Sequence, residues 1–116
     1  MKTLEQIFDI IEENDITFYE YEENNILCGY ELNAYTDGGV NEILFLDFRD
    51  ENKDPKNVED FIREFKSYIN HYTIDDRIIN NRQNERYRND FTLKESLKDF
   101  TKFDKKLRRI LKKISK

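Results

Sequence analysis

Apolar residues recur along the first turns of the chain at intervals of three and four. Leu4, Ile7, Phe8 and Ile11 fall on one face at helical spacing. The pattern predicts a helix from Thr3 to about Glu13. Thr3, followed three residues later by Gln6, fits a capping box, in which each side chain satisfies a backbone N–H of the other residue. The face turned away from the apolar stripe is acidic.

From Asp15 to Glu22, β-branched and aromatic residues take over and predict a strand. Ile16, Phe18 and Glu20 share one side; Thr17, Tyr19 and Tyr21 share the other. Each side carries two large groups, so the pattern leaves the buried face open. Glu23-Asn24-Asn25 reads as a turn. A second strand runs from Ile26 to Tyr35, with Ile26, Cys28, Tyr30 and Leu32 on one face. Asp37-Gly38-Gly39 marks a hairpin, because glycine accepts the positive φ of tight turns. The loop Tyr35 to Val40 reads first as an ordinary hairpin and second as a contact loop. Val40 to Phe48 is the third strand. It is apolar on both faces from Ile43 to Leu46 and is expected to be the most buried of an antiparallel meander.

Asp54-Pro55 reads as a helix start, with the aspartate as N-cap and the proline in the first turn. This helix is expected to reach about Tyr72, with Val58, Phe61, Ile62, Phe65, Ile69 and Tyr72 as its stripe. Thr73 looks like a further N-cap, followed by Asp75 and Asp76 where carboxylates favour the helix dipole. The helix it opens, about Ile74 to Asn89, is apolar only at Ile74, Ile78, Ile79 and Tyr87. Thr92 with Glu95 forms a second capping box. It begins a last helix to about Ile114, with Leu93, Leu97, Phe100, Phe103, Leu107, Ile110, Leu111 and Ile114 as its seam. The expected fold is α+β: an N-terminal helix, a three-stranded antiparallel β-meander, and three C-terminal helices packed on the sheet.

Composition sharpens this picture. At 116 residues the chain fits a single domain, 1–116. Charged residues make up 39% and mean hydropathy is −0.94, values that alone favour disorder. Nine Phe and seven Tyr supply enough apolar surface to fold. A lone cysteine, no apolar run near the N-terminus and no membrane-length apolar segment fit a cytoplasmic protein.

Charge is divided between the halves. Residues 1–60 hold four basic and 17 acidic side chains, a net of −13, while residues 61–116 hold 16 basic and eight acidic, a net of +8. Charge of this kind bears on partners rather than on fold. The C-terminal helix concentrates Lys102, Lys105, Lys106, Arg108, Arg109, Lys112 and Lys113. These residues suit a phosphate or acidic-partner contact. They equally suit a solvated helix face, or a tail that offsets the acidic half. A basic amphipathic helix lying on a membrane is the least favoured reading. Arg77, Arg82, Arg86 and Arg88, interleaved with Asn and Gln, form a polar helix of the composition that reads phosphates and bases, or pair locally with Asp75, Asp76, Glu85 or Asp90. Glu12, Glu13, Glu20, Glu22 and Glu23 are candidates for an acidic surface that imitates nucleic-acid phosphates; the plain alternative is solubility.

Little points to catalysis. His71 is the only histidine and Cys28 the only cysteine. Cys28 is placed mid-strand on the core face, where cysteine is usually an inert small hydrophobe. His71 lies near a helix end, where positive charge suits the dipole. No zinc-type spacing occurs. Asp47 and the Asp75-Asp76 pair are the candidates for an Mg²⁺ site. No cofactor is expected.

Several segments resemble small uncharacterised proteins carried by bacterial plasmids and integrative elements. They are Ala34-Tyr35-Thr36-Asp37-Gly38-Gly39-Val40, Leu46-Asp47-Phe48-Arg49, Ile74-Asp75-Asp76, Arg82-Gln83-Asn84-Glu85-Arg86-Tyr87 and Phe91-Thr92-Leu93-Lys94-Glu95-Ser96. The resemblance covers roughly Ala34 to Phe100. Such elements also carry anti-restriction and anti-CRISPR proteins, which are small, charged, cofactor-free inhibitors, and the resemblance implies that setting by association. It carries over no catalytic or binding residue. The leading expectation is a non-enzymatic inhibitor that blocks a nucleic-acid-handling defence complex through charged surfaces, with a protein or ribonucleoprotein target. A nucleic-acid-binding module using the basic helices comes second, and a metal-dependent enzyme third. Opposite charges on the two halves also predict salt-sensitive self-association.

Overall fold

The computed structural model describes residues 2–35, 41–71 and 93–116. Helix α1 (Leu4–Glu13) leads into strands β1 (Ile16–Glu23), β2 (Ile26–Tyr35) and β3 (Asn41–Asp47), followed by helices α2 (Val58–His71) and α3 (Leu93–Ile114). The strands form one antiparallel sheet in the order β1-β2-β3. The class is α+β, as expected. Two helices rather than three follow the sheet among the described residues. The expected helix over 74–89 lies outside them, as do the Asp37-Gly38-Gly39 turn and Thr92 of the second capping box.

Local chemistry explains the element ends. Thr3 and Gln6 form the capping box of α1: Thr3 Oγ1 accepts from the Gln6 N–H at 3.2 Å and Gln6 Oε1 accepts from the Thr3 N–H at 2.9 Å. The chain leaves α1 through Asp15 at φ 63°, and β1 turns into β2 through Asn24 and Asn25 at φ 52° and 64°. Two consecutive positive φ values are the hairpin geometry whose twist matches the flanking strands, and asparagine tolerates them. Helix α2 starts at Val58, three residues beyond Pro55. Its cap is Asn57, whose Oδ1 accepts from the Asp60 N–H at 3.0 Å. Asp54, the expected cap, instead accepts from the Lys56 N–H at 2.9 Å within the preceding turn.

The helices cover one side of the sheet. Ile7 and Ile11 from α1, Phe61, Phe65 and Ile69 from α2, and Phe103, Leu107, Ile110 and Ile114 from α3 close over Ile16, Tyr30, Leu32, Leu44 and Leu46. At the centre, Phe8 lies 4.3 Å from Phe18 and 5.4 Å from Phe61 between ring centroids, and Tyr30 lies 4.9 Å from Phe18 and 5.5 Å from Phe61. Offset and edge-on pairs of this kind contribute about 0.5–1.5 kcal/mol each beyond their burial.

Three expectations are corrected. The buried face of β2 changes phase near the hairpin. A bulge leaves Cys28 without a direct partner on β1, since Tyr21 pairs with Gly29 and Glu22 with Leu27. Leu27 therefore joins the core while Ile26 is 66% exposed, and Cys28 is half-buried with its thiol directed at the Ile26 carbonyl. Second, β2 is the central strand and β3 lies at one side of the described sheet; alternation buries Leu44 and Leu46 under the helices and leaves Phe45 exposed on the opposite face. Third, Leu97 leaves the seam of α3 and is exposed.

Tyr30 links this core to the approach of α2. Its hydroxyl donates to the Pro55 carbonyl at 2.7 Å. Burial pushes its pKa from 10.0 up to about 12, with the Glu20 and Asp54 carboxylates adding to the effect. A raised tyrosine pKa means stability that is complete below pH 10 and lost as pH rises from 10 towards 12, because the unfolded chain ionises first. Tyr30→Phe is expected to cost about 1–2 kcal/mol at neutral pH through the orphaned carbonyl. It should also flatten the fall in stability above pH 10, read by urea unfolding across pH.

Candidate functional site

Helix α3 carries the most regular charged surface. Phe100, Phe103, Leu107, Ile110 and Ile114 are buried and define its inner face. Opposite them run Lys98, Lys102, Lys105, Arg109, Lys112 and Lys116, all exposed. Their spacing of four, three, four, three and four keeps them in line along a helix. At 1.5 Å per residue the helical part of the row, Lys98 to Lys112, is roughly 21 Å long, and Lys116 follows just past the helix end. Arg108, Lys113 and the half-buried Lys106 flank it. Lys98 was not among the expected contact residues, although the same spacing marks it.

Lys102 aside, the row is not taken up by direct ion pairs to the acidic half among the described residues. Arg108 is tied to its own helix, donating from Nε to Asp104 at 2.9 Å and from a terminal nitrogen to Asn70 at 3.5 Å. None of the ion pairs among the described residues takes up Lys98, Lys105, Lys106, Arg109, Lys112, Lys113 or Lys116. Helix α1 packs beside α3, and Lys2 Nζ donates to the Lys116 carbonyl at 3.2 Å. The carboxylates of α1 still make no ion pair with α3 among these residues.

The acidic candidates are not one array. Glu12 and Glu13 end α1 and are exposed. Alternation along β1 puts Glu20 and Glu22 on the side of Ile16 and Phe18, and Glu23 on the opposite side with Tyr19 and Tyr21. Glu23 is also engaged: it accepts from Arg49 at 3.3 Å and from the Tyr21 hydroxyl at 2.7 Å. That hydroxyl titrates higher than an ordinary tyrosine, chiefly through its bond to Glu23. Arg77, Arg82, Arg86 and Arg88 lie outside the described residues, with Asp75 and Asp76.

A third surface was not anticipated. The sheet face turned away from the helices presents Tyr19, Tyr21 and Phe45, exposed by 52, 37 and 38%. Gly29 allows the strands to close here, since an added Cβ would strike the Leu46 carbonyl oxygen. Tyr21 meets Phe45 edge-on at 5.5 Å across β2. Arg49 grips Asp47 with two bonds, 2.9 and 2.8 Å long, and its guanidinium lies 6.0 Å from the Phe45 centroid. Asp47, a candidate Mg²⁺ ligand from the sequence, is therefore an arginine acceptor.

Beside this face, Phe45, Asp47, Lys53, Glu64, Tyr68 and His71 line a groove between β3 and α2. Lys53 pairs with Glu64 at 3.0 Å, and that bond raises the lysine pKa. Among the described residues no three His, Cys, Asp or Glu side chains come together as a metal site. None of the described helices is long and apolar enough to cross a membrane. The chain matches no protein-family model, no curated protein and no solved structure.

The Arg49 guanidinium holds the Asp47 carboxyl below the usual aspartate value of 3.8. A lowered carboxyl contributes stability above the unfolded value and loses it as pH falls through the folded one. In Arg49→Ala the Asp47 carboxyl is expected to titrate higher, close to the unperturbed range, as read by NMR.

Proposed function

We propose that this chain is a non-enzymatic binding protein that blocks a nucleic-acid-handling complex, of the anti-CRISPR or anti-restriction kind, by occupying charged surfaces. The observation that carries this reading is the cationic row of α3. Five side chains from Lys98 to Lys112 stand in line on the outer face of α3, with Lys116 just past its end, while Phe100, Phe103, Leu107, Ile110 and Ile114 bury the opposite face. Direct ion pairs to the acidic half leave most of them unclaimed. Such a row fits phosphate groups or an acidic protein patch, because it offers charge without a fixed pattern of donors. The carboxylates of α1 and β1 give the same small domain a surface of opposite sign. The resemblance of Ala34 to Phe100 to mobile-element proteins supplies the defence-inhibitor setting.

The second reading is a nucleic-acid-binding module, and the α3 row also favours it. The two differ in what the row touches. Titration with labelled single-stranded RNA, single-stranded DNA and duplex DNA at two salt concentrations separates them. A module engaging four to six phosphates of a duplex loses about a hundredfold to a thousandfold in affinity between 50 and 200 mM salt. Lys105→Glu with Lys112→Glu is expected to lower affinity by about tenfold or more for every sequence alike. Absence of binding at low salt excludes the module and directs the row to a protein or ribonucleoprotein. If charge reversal on both α3 and α1 left target binding unchanged, the inhibitor reading would fail.

A further inference from the structure

The open face of the sheet is built like a receptor for a guanidinium group. Tyr19 pairs with Glu31, and Glu31 pairs with Phe45, so the three stand in one row across the three strands. Directly opposed side chains on one face lie about 5 Å apart at Cβ. The two rings are exposed. Glu31 between them is half-buried, and its side chain makes no hydrogen bond or ion pair among the described residues. The row thus sets a free carboxylate between two aromatic surfaces.

The neighbouring row shows which chemistry this surface holds. Arg49 lies over Phe45 at 6.0 Å, binds Asp47 with two bonds, and reaches Glu23 at 3.3 Å. Ring and carboxylate together seat one arginine from the chain itself. Tyr19, Glu31 and Phe45 offer the same combination one row along: Arg49 already lies near Phe45, but among the described residues no arginine pairs with Glu31 or stacks on Tyr19. We infer that this open face is a docking surface for an arginine side chain of a basic protein partner, stacked against Tyr19 and Phe45 with Glu31 as its counter-charge.

Arginine fits better than lysine, because its planar fork stacks on a ring while pairing with a carboxylate. Nucleic acid fits poorly, because Glu23, Glu31 and Asp47 would face its phosphates. The choice of a basic protein agrees with the proposed function, since protein grooves that hold nucleic acid are rich in arginine and lysine. The seat itself rests on the sheet geometry alone.

The test uses the full chain with an octa-arginine and an octa-lysine peptide, followed by NMR of the aromatic rings and by titration calorimetry. The octa-arginine peptide is expected to shift Tyr19 and Phe45 ring resonances and to bind about tenfold tighter than octa-lysine. Glu31→Gln, an isosteric surface change, should remove that preference. Glu12→Gln with Glu13→Gln on α1 should leave it intact. Equal affinity for the two peptides, unaffected by Glu31→Gln, would overturn the inference and reduce the effect to general acidity. Shifts of the same rings by single-stranded RNA would assign the face to nucleic acid instead. Dimers that Glu31→Gln abolishes without any peptide would assign it to a second copy. The RNA titration on α3 is independent of these outcomes, so the two readings can fail separately.

Discussion

Phe8, Phe18, Tyr30 and Phe61 meet where α1, β1, β2 and α2 converge, and their packing decides which side of the sheet is buried. Only the face of β1 carrying Ile16 and Phe18 can join this knot. Once it does, alternation sends Thr17, Tyr19 and Tyr21 outward. The partner strands follow, because a sheet register ties each residue on one strand to a face on the next. Tyr30 and Leu32 turn in, Glu31 turns out, and Leu44 and Leu46 leave Phe45 outside. The exposed aromatic face is thus the other half of the same constraint that builds the core.

Much of this was legible in the residues. Leu4, Ile7, Phe8 and Ile11 marked α1, and Thr3 with Gln6 marked its start, because capping is a local interaction. The strands and their antiparallel order followed from turn chemistry and from β-branched and aromatic runs. The buried side of β1 was not legible, since Ile16 and Phe18 compete on equal terms with Tyr19 and Tyr21 until the helices choose. The bulge at Cys28 was hidden for a related reason. One extra residue reverses the alternation, and nothing in Ile26-Leu27-Cys28-Gly29 signals it except the glycine. The start of α2 was misjudged because Asp54 and Asn57 are both good caps. The chain uses Asp54 to shape the turn and Asn57 to open the helix.

The candidate surfaces divide along the same line. The basic side chains of α3 could be read directly, because an amphipathic helix separates its faces by spacing alone. Whether they were already paired could not be read, since that depends on what packs nearby. Helix α1 does pack nearby, yet among the described residues its carboxylates form no ion pair with α3, and attraction between exposed charges beyond about 8 Å is largely screened at physiological salt. The acidic set dispersed instead: one strand put Glu20 and Glu22 on one side and Glu23 on the other, where Arg49 holds it. Tyr19, Glu31 and Phe45 come from three strands, and only the register brings them into one row.

Helix α3 presents a cationic row that suits a polyanion, and the open sheet face suits a different, basic partner. Residue-resolved NMR of the labelled chain, with single-stranded RNA added at low salt, tests this division most directly. A row that takes phosphates gives shifts concentrated on Lys98, Lys102, Lys105, Arg109, Lys112 and Lys116 that vanish as salt is raised, with Tyr19, Glu31 and Phe45 unmoved; no shift on α3 directs the row to an acidic protein patch instead. Shifts centred on the sheet face, or spread over α1 and α3 alike, would contradict the division.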